Sequence, residues 1–135
     1  MADLSIGEVA AETGLSVHAL RFFEREGLLL RGIRRSAGGR RRYEREDVEW
    51  LLLCNRLRES GMALATVRRF AELVRAGEGN ERERLELLRE HEVAVRSRIA
   101  ELAGCLDIIH GKVLAYERHV RDGTAAGVWS PLTPD

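Results

Sequence analysis

The chain has 135 residues, of which 22 are basic and 22 acidic, so its formal net charge at pH 7 is zero. This length suffices for one domain, or for a small domain with an extended appendage, and no apolar run reaches the ~18 residues that span a bilayer. The N-terminus lacks the basic-then-apolar order of a signal peptide, because Asp3, Glu8 and Glu12 interrupt it. Two cysteines, Cys54 and Cys105, lie far apart and fit reduced thiols better than a disulfide framework. We therefore expect a cytoplasmic protein without a membrane partner.

A short first helix is predicted over residues 5–13, where apolar residues recur at helical spacing. Ser5 is an N-cap type of residue, and Glu8 follows three positions later, which is the pattern of a capping box. Gly14 interrupts the pattern and predicts the end of this helix.

A second short helix is predicted to begin after Ser16, another N-cap candidate. Its apolar residues fall on one side, whereas His18, Arg21 and Arg25 project from the rest of its surface. Two short helices joined by a glycine-containing turn predict a helix-turn-helix, with the second as the recognition helix. Ser16, His18, Arg21 and Arg25 are therefore predicted DNA-binding residues.

An arginine-rich turn follows at Gly38-Gly39-Arg40-Arg41-Arg42-Tyr43. Glycine permits the positive φ of a tight turn, and guanidinium groups on a protruding turn can reach DNA phosphates. Between positions 31 and 45 there are seven arginines and one acid, a local net charge of 7 − 1 = +6. We predict a small β-hairpin wing whose DNA contacts include Arg34, Arg35, Arg40, Arg41, Arg42 and Tyr43. An ordinary solvated charge run is the alternative interpretation.

Two longer helices are predicted after the wing, over residues 44–58 and 63–74. They complete a DNA-binding domain of residues 1–76, which a glycine-rich linker at 77–80 follows. Arg68 and Arg69 fall on the polar side of the second helix, where they either contact phosphates or form an ordinary solvated face.

From Glu81 the pattern changes to a heptad with alternating steps of three and four. Ten of the eleven seam positions between 85 and 120 are apolar, and nothing else in the chain is long enough to cover them. We predict a coiled-coil dimerisation helix over 81–121, a short tail over 122–135 and a homodimer. The predicted dimer contacts are Leu88, Val95, Ile99, Leu102, Leu106, Ile109, Val113 and Tyr116. The alternative is a helix that only folds back on the DNA-binding domain of its own chain, which we call the head.

This order of elements resembles the MerR family of bacterial transcription regulators over nearly the whole chain. The specific motifs are Ile6-Gly7-Glu8-Val9-Ala10, Leu15-Ser16-Val17, Leu20-Arg21-Phe22-Phe23-Glu24-Arg25-Glu26-Gly27-Leu28-Leu29 and Gly39-Arg40-Arg41-Arg42-Tyr43. Phe22 and Arg40 stand where the family usually has tyrosine, and the resemblance extends the DNA-binding set to Phe22. It implies a mainly α fold and a homodimer on a pseudo-palindromic operator within a long promoter spacer. It also implies that a small effector makes the dimer distort that DNA for RNA polymerase.

The sequence says less about an effector. Metal-sensing relatives carry cysteines near the start of the long helix or in the loop after it, and this chain has none there, so no metal or other cofactor is expected. The short tail is most similar to the subgroup associated with aldehyde and thiol stress. That subgroup's usual cysteine position holds Arg56 here, and Cys54 is rotated from it by about 200° around a helix. Cys54 and Cys105 are thus possible sensors, with structural thiols as the alternative.

An effector-responsive transcription regulator is the predicted function. The alternative is a DNA-binding repressor or architectural protein that has no effector. An enzyme is not expected, because the sequence shows no Ser/His/Asp set, phosphate loop or carboxylate pair with a defensible geometry.

Overall fold

The computed structural model describes residues 3–31, 34, 35, 37–39, 41–124 and 127–129. The elements run in the order β1 (Leu4–Ser5), α1 (Ile6–Thr13), α2 (Val17–Arg25), β2 (Arg34–Arg35), β3 (Arg41–Tyr43), α3 (Arg45–Glu59), α4 (Leu64–Ala76) and α5 (Glu81–Asp122). The predicted fold class is confirmed: the chain is mainly helical, with a small antiparallel hairpin and one long C-terminal helix. It divides into two compact units, residues 1–92 and 93–135.

Side-chain caps define the starts of α1 and α2. Ser5 forms the predicted capping box, in which its Oγ accepts the Glu8 N–H and the Glu8 carboxylate accepts the Ser5 N–H, both at 3.2 Å. The Ser16 Oγ accepts the Ala19 N–H at 3.0 Å. Gly14 adopts φ 73° and donates its N–H to Ala10, which ends α1. Local hydrogen bonding therefore sets the helix-turn-helix, as the sequence predicts.

The wing is part of a three-stranded sheet rather than an isolated hairpin. Strand β3 is central and pairs antiparallel with β2 on one side and β1 on the other. Arg42 lies opposite Ser5 in β1 and opposite Arg34 in β2. Strand β1 is not predicted by the sequence pattern, because two residues carry no periodicity. Since Ser5 also caps α1, backbone pairing joins the wing directly to the helix-turn-helix.

One hydrophobic core holds α1 to α4 and the sheet together. Val9, Leu20, Leu28 and Leu51 are almost completely buried within it. Trp50 stacks on Phe70 at 5.7 Å between ring centroids and donates its indole N–H to the Leu28 carbonyl at 2.6 Å. This bond satisfies a buried donor and fixes the chain just after the recognition helix.

The first turns of α5 belong to the same compact unit as the head. Leu87 and Leu88 pack against its core, the Asn80 side-chain amide donates to the Leu73 carbonyl at 2.8 Å, and His91 hydrogen-bonds Ser60 at 2.7 Å. The unit thus extends past the boundary predicted at 76. Leu88, predicted as a dimer contact, packs at least partly against the head of its own chain.

The second unit consists of the remainder of α5 and the residues after it. Helix α5 has no buried residue in the single chain. Its exposed large apolar side chains include Ile99 at 61%, Leu102 at 66%, Leu106 at 63% and Ile109 at 58% exposure. Within the described residues, no helix is long and apolar enough to cross a membrane.

Candidate nucleic-acid interface

Helix α2 separates an apolar face from a cationic one. Leu20 and Phe23 are buried, at 1% and 4% exposure. At about 100° per residue, His18, Arg21 and Arg25 fall within an arc of about 60° on the opposite side, and all three are exposed. The packing of one face therefore orients the other toward solvent.

The basic side chains on this face have no partner among the described residues. In the part of the chain that the structure describes, no side-chain hydrogen bond or ion pair involves His18, Arg21 or Arg25. A long cationic side chain held on a capped helix without a carboxylate neighbour is free to bind an external acceptor. This is the arrangement that a recognition helix needs.

Two of the seven arginines counted between positions 31 and 45 form ion pairs within the head. Arg31 lies 3.0 Å from a Glu44 carboxylate oxygen, 2.9 Å from Glu46 and 3.5 Å from Asp47. The hydrogen bond to Glu46 is the main reason that the pKa of Arg31 is raised. Arg45 pairs with Glu12 of α1. These ion pairs connect the two ends of the wing region to α3 and α1.

The remaining five arginines are Arg34, Arg35, Arg40, Arg41 and Arg42. Arg40 and the side chains of Arg34, Arg35 and Arg41 lie outside the described residues, whereas the backbones of these last three form the strands. Arg42 is half-buried on the central strand. Gly39 adopts φ 79°, which is the positive φ predicted for this turn.

Tyr43 and Phe22 are less exposed than the basic side chains of α2. Tyr43 is only 2% exposed and belongs to the hydrophobic core. Both the ring and the hydroxyl are buried, which leaves no exposed surface for the predicted phosphate contact in this arrangement. Phe22 is half-buried and makes an edge contact with Phe23 at 6.0 Å between centroids.

The arginines of α4 act within the protein. Arg68 pairs with the Glu26 carboxylate and also donates from Nε to the Glu26 carbonyl at 3.1 Å. Arg69 binds Glu83 of α5 at 2.7 Å. Arg75 donates to the carbonyls of residues 27 and 29 at 2.8 and 2.6 Å. Arg68 and Arg75 thus secure the turn that follows the recognition helix, a role that the sequence pattern did not reveal.

The two candidate sensor cysteines differ sharply in surroundings. Cys54 is completely buried, and burial raises the pKa of its thiol to about 12. A thiol with that pKa is protonated at neutral pH and a poor nucleophile. Cys105 is exposed on α5 in the single chain. Among the described residues, no group of three or more His, Cys, Asp or Glu side chains could hold a metal ion.

These elements and this surface define a winged helix-turn-helix transcription regulator. The family model for MerR HTH family regulatory proteins matches residues 4–73, which is more than half of the chain. The chain belongs to the MerR family.

Relatives of similar length agree with this assignment. An HTH-type transcriptional regulator from Haemophilus influenzae is 34% identical over 128 residues, covering 95% of this chain and 94% of the relative. A mercuric resistance operon regulatory protein from Pseudomonas fluorescens is 32% identical, covering 92% of this chain and 83% of the relative. The crystal structure of HiNmlR, described as a MerR family regulator lacking the sensor domain, bound to promoter DNA, has a TM-score of 0.86. It is 33% identical and covers 98% of this chain and 100% of that one.

Proposed function

We propose that the chain binds promoter DNA as a homodimer, with α2 of each protomer in the major groove of one half of a pseudo-palindromic operator. The exposed basic face of α2 carries this proposal, because its side chains are positioned by buried neighbours and have no described intramolecular partner. Arg21 is the base-reading residue, since arginine binds guanine O6 and N7 with two hydrogen bonds. A similar protein that was solved bound to promoter DNA supports DNA binding by this chain.

The wing binds the phosphate backbone beside that groove. Once Arg31 and Arg45 are paired within the head, five arginines between residues 34 and 42 remain, and that stretch has no acidic residue. Such a charge density favours phosphate contacts that do not depend on base sequence. The pairing of β3 with β1 transmits the position of the wing to α1 and hence to the recognition helix.

The second unit joins the two protomers through the seam of α5. Ile99, Leu102, Leu106 and Ile109 are each more than half exposed in the single chain. A regular apolar seam of this kind is unstable in water and is covered when two helices coil together. Val113 and Tyr116 continue the seam toward the end of the helix.

The homodimer distorts its operator and thereby controls transcription initiation by RNA polymerase, in response to a small effector. Two heads that grip both sides of a site can supply the energy of a bent or untwisted duplex. A regulator without an effector is the second candidate. The burial of Cys54 raises the pKa of its thiol to about 12 and argues against thiol sensing at that residue, which removes one way for the chain to respond to an effector.

Selection of duplexes from a random DNA pool by the full chain tests the proposal. We expect an enriched sequence with two-fold symmetry, and energy transfer between dyes on its two ends should report a bend on binding. Arg69→Ala is a control for the loss of an arginine outside the proposed interface. Arg69 is exposed and already paired with Glu83, so this change should leave the DNA affinity unchanged. Enrichment of no symmetric sequence, or binding without any change in end-to-end distance, would contradict the corresponding part of the proposal.

A further inference from the structure

The chain reverses direction directly after α5. Gly123 adopts φ 68°, and the Thr124 N–H donates to the His119 carbonyl at 3.0 Å. The hydroxyl of Thr124 also lies 2.5 Å from the His119 ring Nδ1. These bonds satisfy groups at the C-terminal end of α5.

Trp129 provides a second anchor further up the same helix. Its ring lies 5.0 Å from the Lys112 ammonium, and its carbonyl accepts a hydrogen bond from the Tyr116 hydroxyl at 3.5 Å. Lys112, Tyr116 and His119 are spaced at i, i+4 and i+7, so they share one face of α5. The described residues of this returning segment, 123, 124 and 127–129, therefore contact that face at two places, Thr124 and Trp129.

Gly127, which lies between Thr124 and Trp129 in the sequence, permits a close approach of the backbone to the His119 ring. It adopts φ 86°, and a Cβ atom at this position would lie 3.1 Å from the Nε2 atom of His119. Any larger residue would need both a left-handed backbone and a shift of the imidazole. The described part of the returning segment is thus shaped for contact with α5.

The Trp129 indole is held in place by these contacts, but most of its surface remains exposed. Trp129 is 77% exposed in spite of its two contacts. It lies beside Tyr116, which is a seam position. Next to it, an apolar groove of about 460 Å³ is lined by Val113, Tyr116, Glu117, Val120 and Arg121. Positions 113, 116, 117 and 120 have the i, i+3, i+4, i+7 spacing of the hole that receives a partner side chain in a coiled coil.

We propose that the returning segment is a clamp of the homodimer, in which Trp129 packs against α5 of the second copy while a partner side chain fills the groove. The inference rests on the proposed homodimer and adds a residue outside the helix to its interface. A second copy is the occupant because the groove and the indole are continuous with the exposed heptad seam. Tryptophan fixed at the edge of an apolar surface is the side chain that most often dominates binding energy at interfaces.

Sedimentation equilibrium of the full chain tests the clamp. We expect Trp129→Ala to raise the dimer dissociation constant by about 10- to 100-fold, the range typical of a truncated interface tryptophan. Gly127→Ala keeps the indole but displaces the segment, so it should weaken the dimer by a smaller factor. The matched control is Leu53→Ala, which shortens a 40% exposed apolar side chain on α3 and should leave the constant unchanged.

Acrylamide quenching provides an independent readout in the unaltered protein. The Trp129 signal, obtained by subtracting the emission of Trp129→Phe, should become protected as the protein concentration rises through the dimer dissociation constant. A wild-type chain that stays monomeric at 10 µM would overturn both the homodimer and the clamp. Two results with a stable wild-type dimer would overturn the clamp alone. One is a Trp129→Ala variant whose dimer dissociation constant lies within about twofold of the wild-type value. The other is a Trp129 that stays accessible to acrylamide in the dimer. Protection that appears only on adding DNA would equally reject a second copy as the occupant.

Discussion

Replacing both Leu102 and Leu106 with aspartate tests whether the α5 seam joins two chains. The two leucines lie near the middle of the exposed seam, at 66% and 63% exposure. Neither is part of the compact unit that carries the DNA-binding face. The double variant should therefore disrupt dimerisation while leaving every proposed DNA contact intact.

The expected loss follows from the surface that each leucine still exposes. Complete burial of a leucine contributes about 1.5–3 kcal/mol, so covering the remaining two thirds contributes about 1–2 kcal/mol per side chain. Four leucines per dimer then contribute about 4–8 kcal/mol, an upper estimate if the free chains are partly collapsed. At about 1.4 kcal/mol per factor of ten, the dimer dissociation constant should rise by about three decades or more. Buried aspartates without partners would increase the loss further.

Analytical ultracentrifugation at micromolar concentration measures this effect directly. Leu53→Asp, an equivalent change at an exposed apolar residue of α3, should remain dimeric. On an operator with two half-sites, the affinity of the double variant should also fall by the factor of ~10²–10⁴ that linkage of two heads provides. If it sediments as a dimer and still protects both half-sites, another surface joins the chains and the seam has been misinterpreted.

Three further predictions concern single side chains. Arg21→Ala should cost about 1–3 kcal/mol on the operator and much less on random DNA, and equal losses in a binding titration would reassign Arg21 to the backbone. Arg42→Ala should weaken binding to all duplexes and reduce the slope of log affinity against log salt by about 1; a changed operator preference with an unchanged slope would contradict this. With a pKa near 12, only roughly 1 in 10⁴ of the Cys54 thiols is ionised at pH 8. Iodoacetamide should therefore modify Cys105 first and Cys54 only on unfolding, and mass spectrometry showing rapid modification of native Cys54 would refute this.

Local chemistry explains why so much of the head was predictable. The capping box at Ser5 and the cap at Ser16 act within four residues, so their consequences can be derived from the sequence alone. The glycines at 14 and 39 adopt the positive φ values that their positions require. Helix α5 begins at Glu81, where the heptad begins.

Interactions between distant residues explain what was missed. Strand β1 exists because Leu4 pairs with Tyr43, 39 positions later, and the Tyr43 side chain is buried in the core rather than exposed. Leu88 fits the heptad perfectly well, yet the head lies close enough to bury it in part. A periodic pattern identifies the apolar side of a helix but not which surface covers it.

Charge shows the same division between sequence and tertiary structure. The sequence by itself determined that basic residues concentrate on α2 and the wing, because composition and helical spacing are local properties. Only the tertiary structure decided which of those charges are available. Arg31 and Arg45 are paired with carboxylates brought near by folding, whereas Arg21 is left without one among the described residues. Coulomb attraction depends on distance in space, and distance along the chain does not determine it.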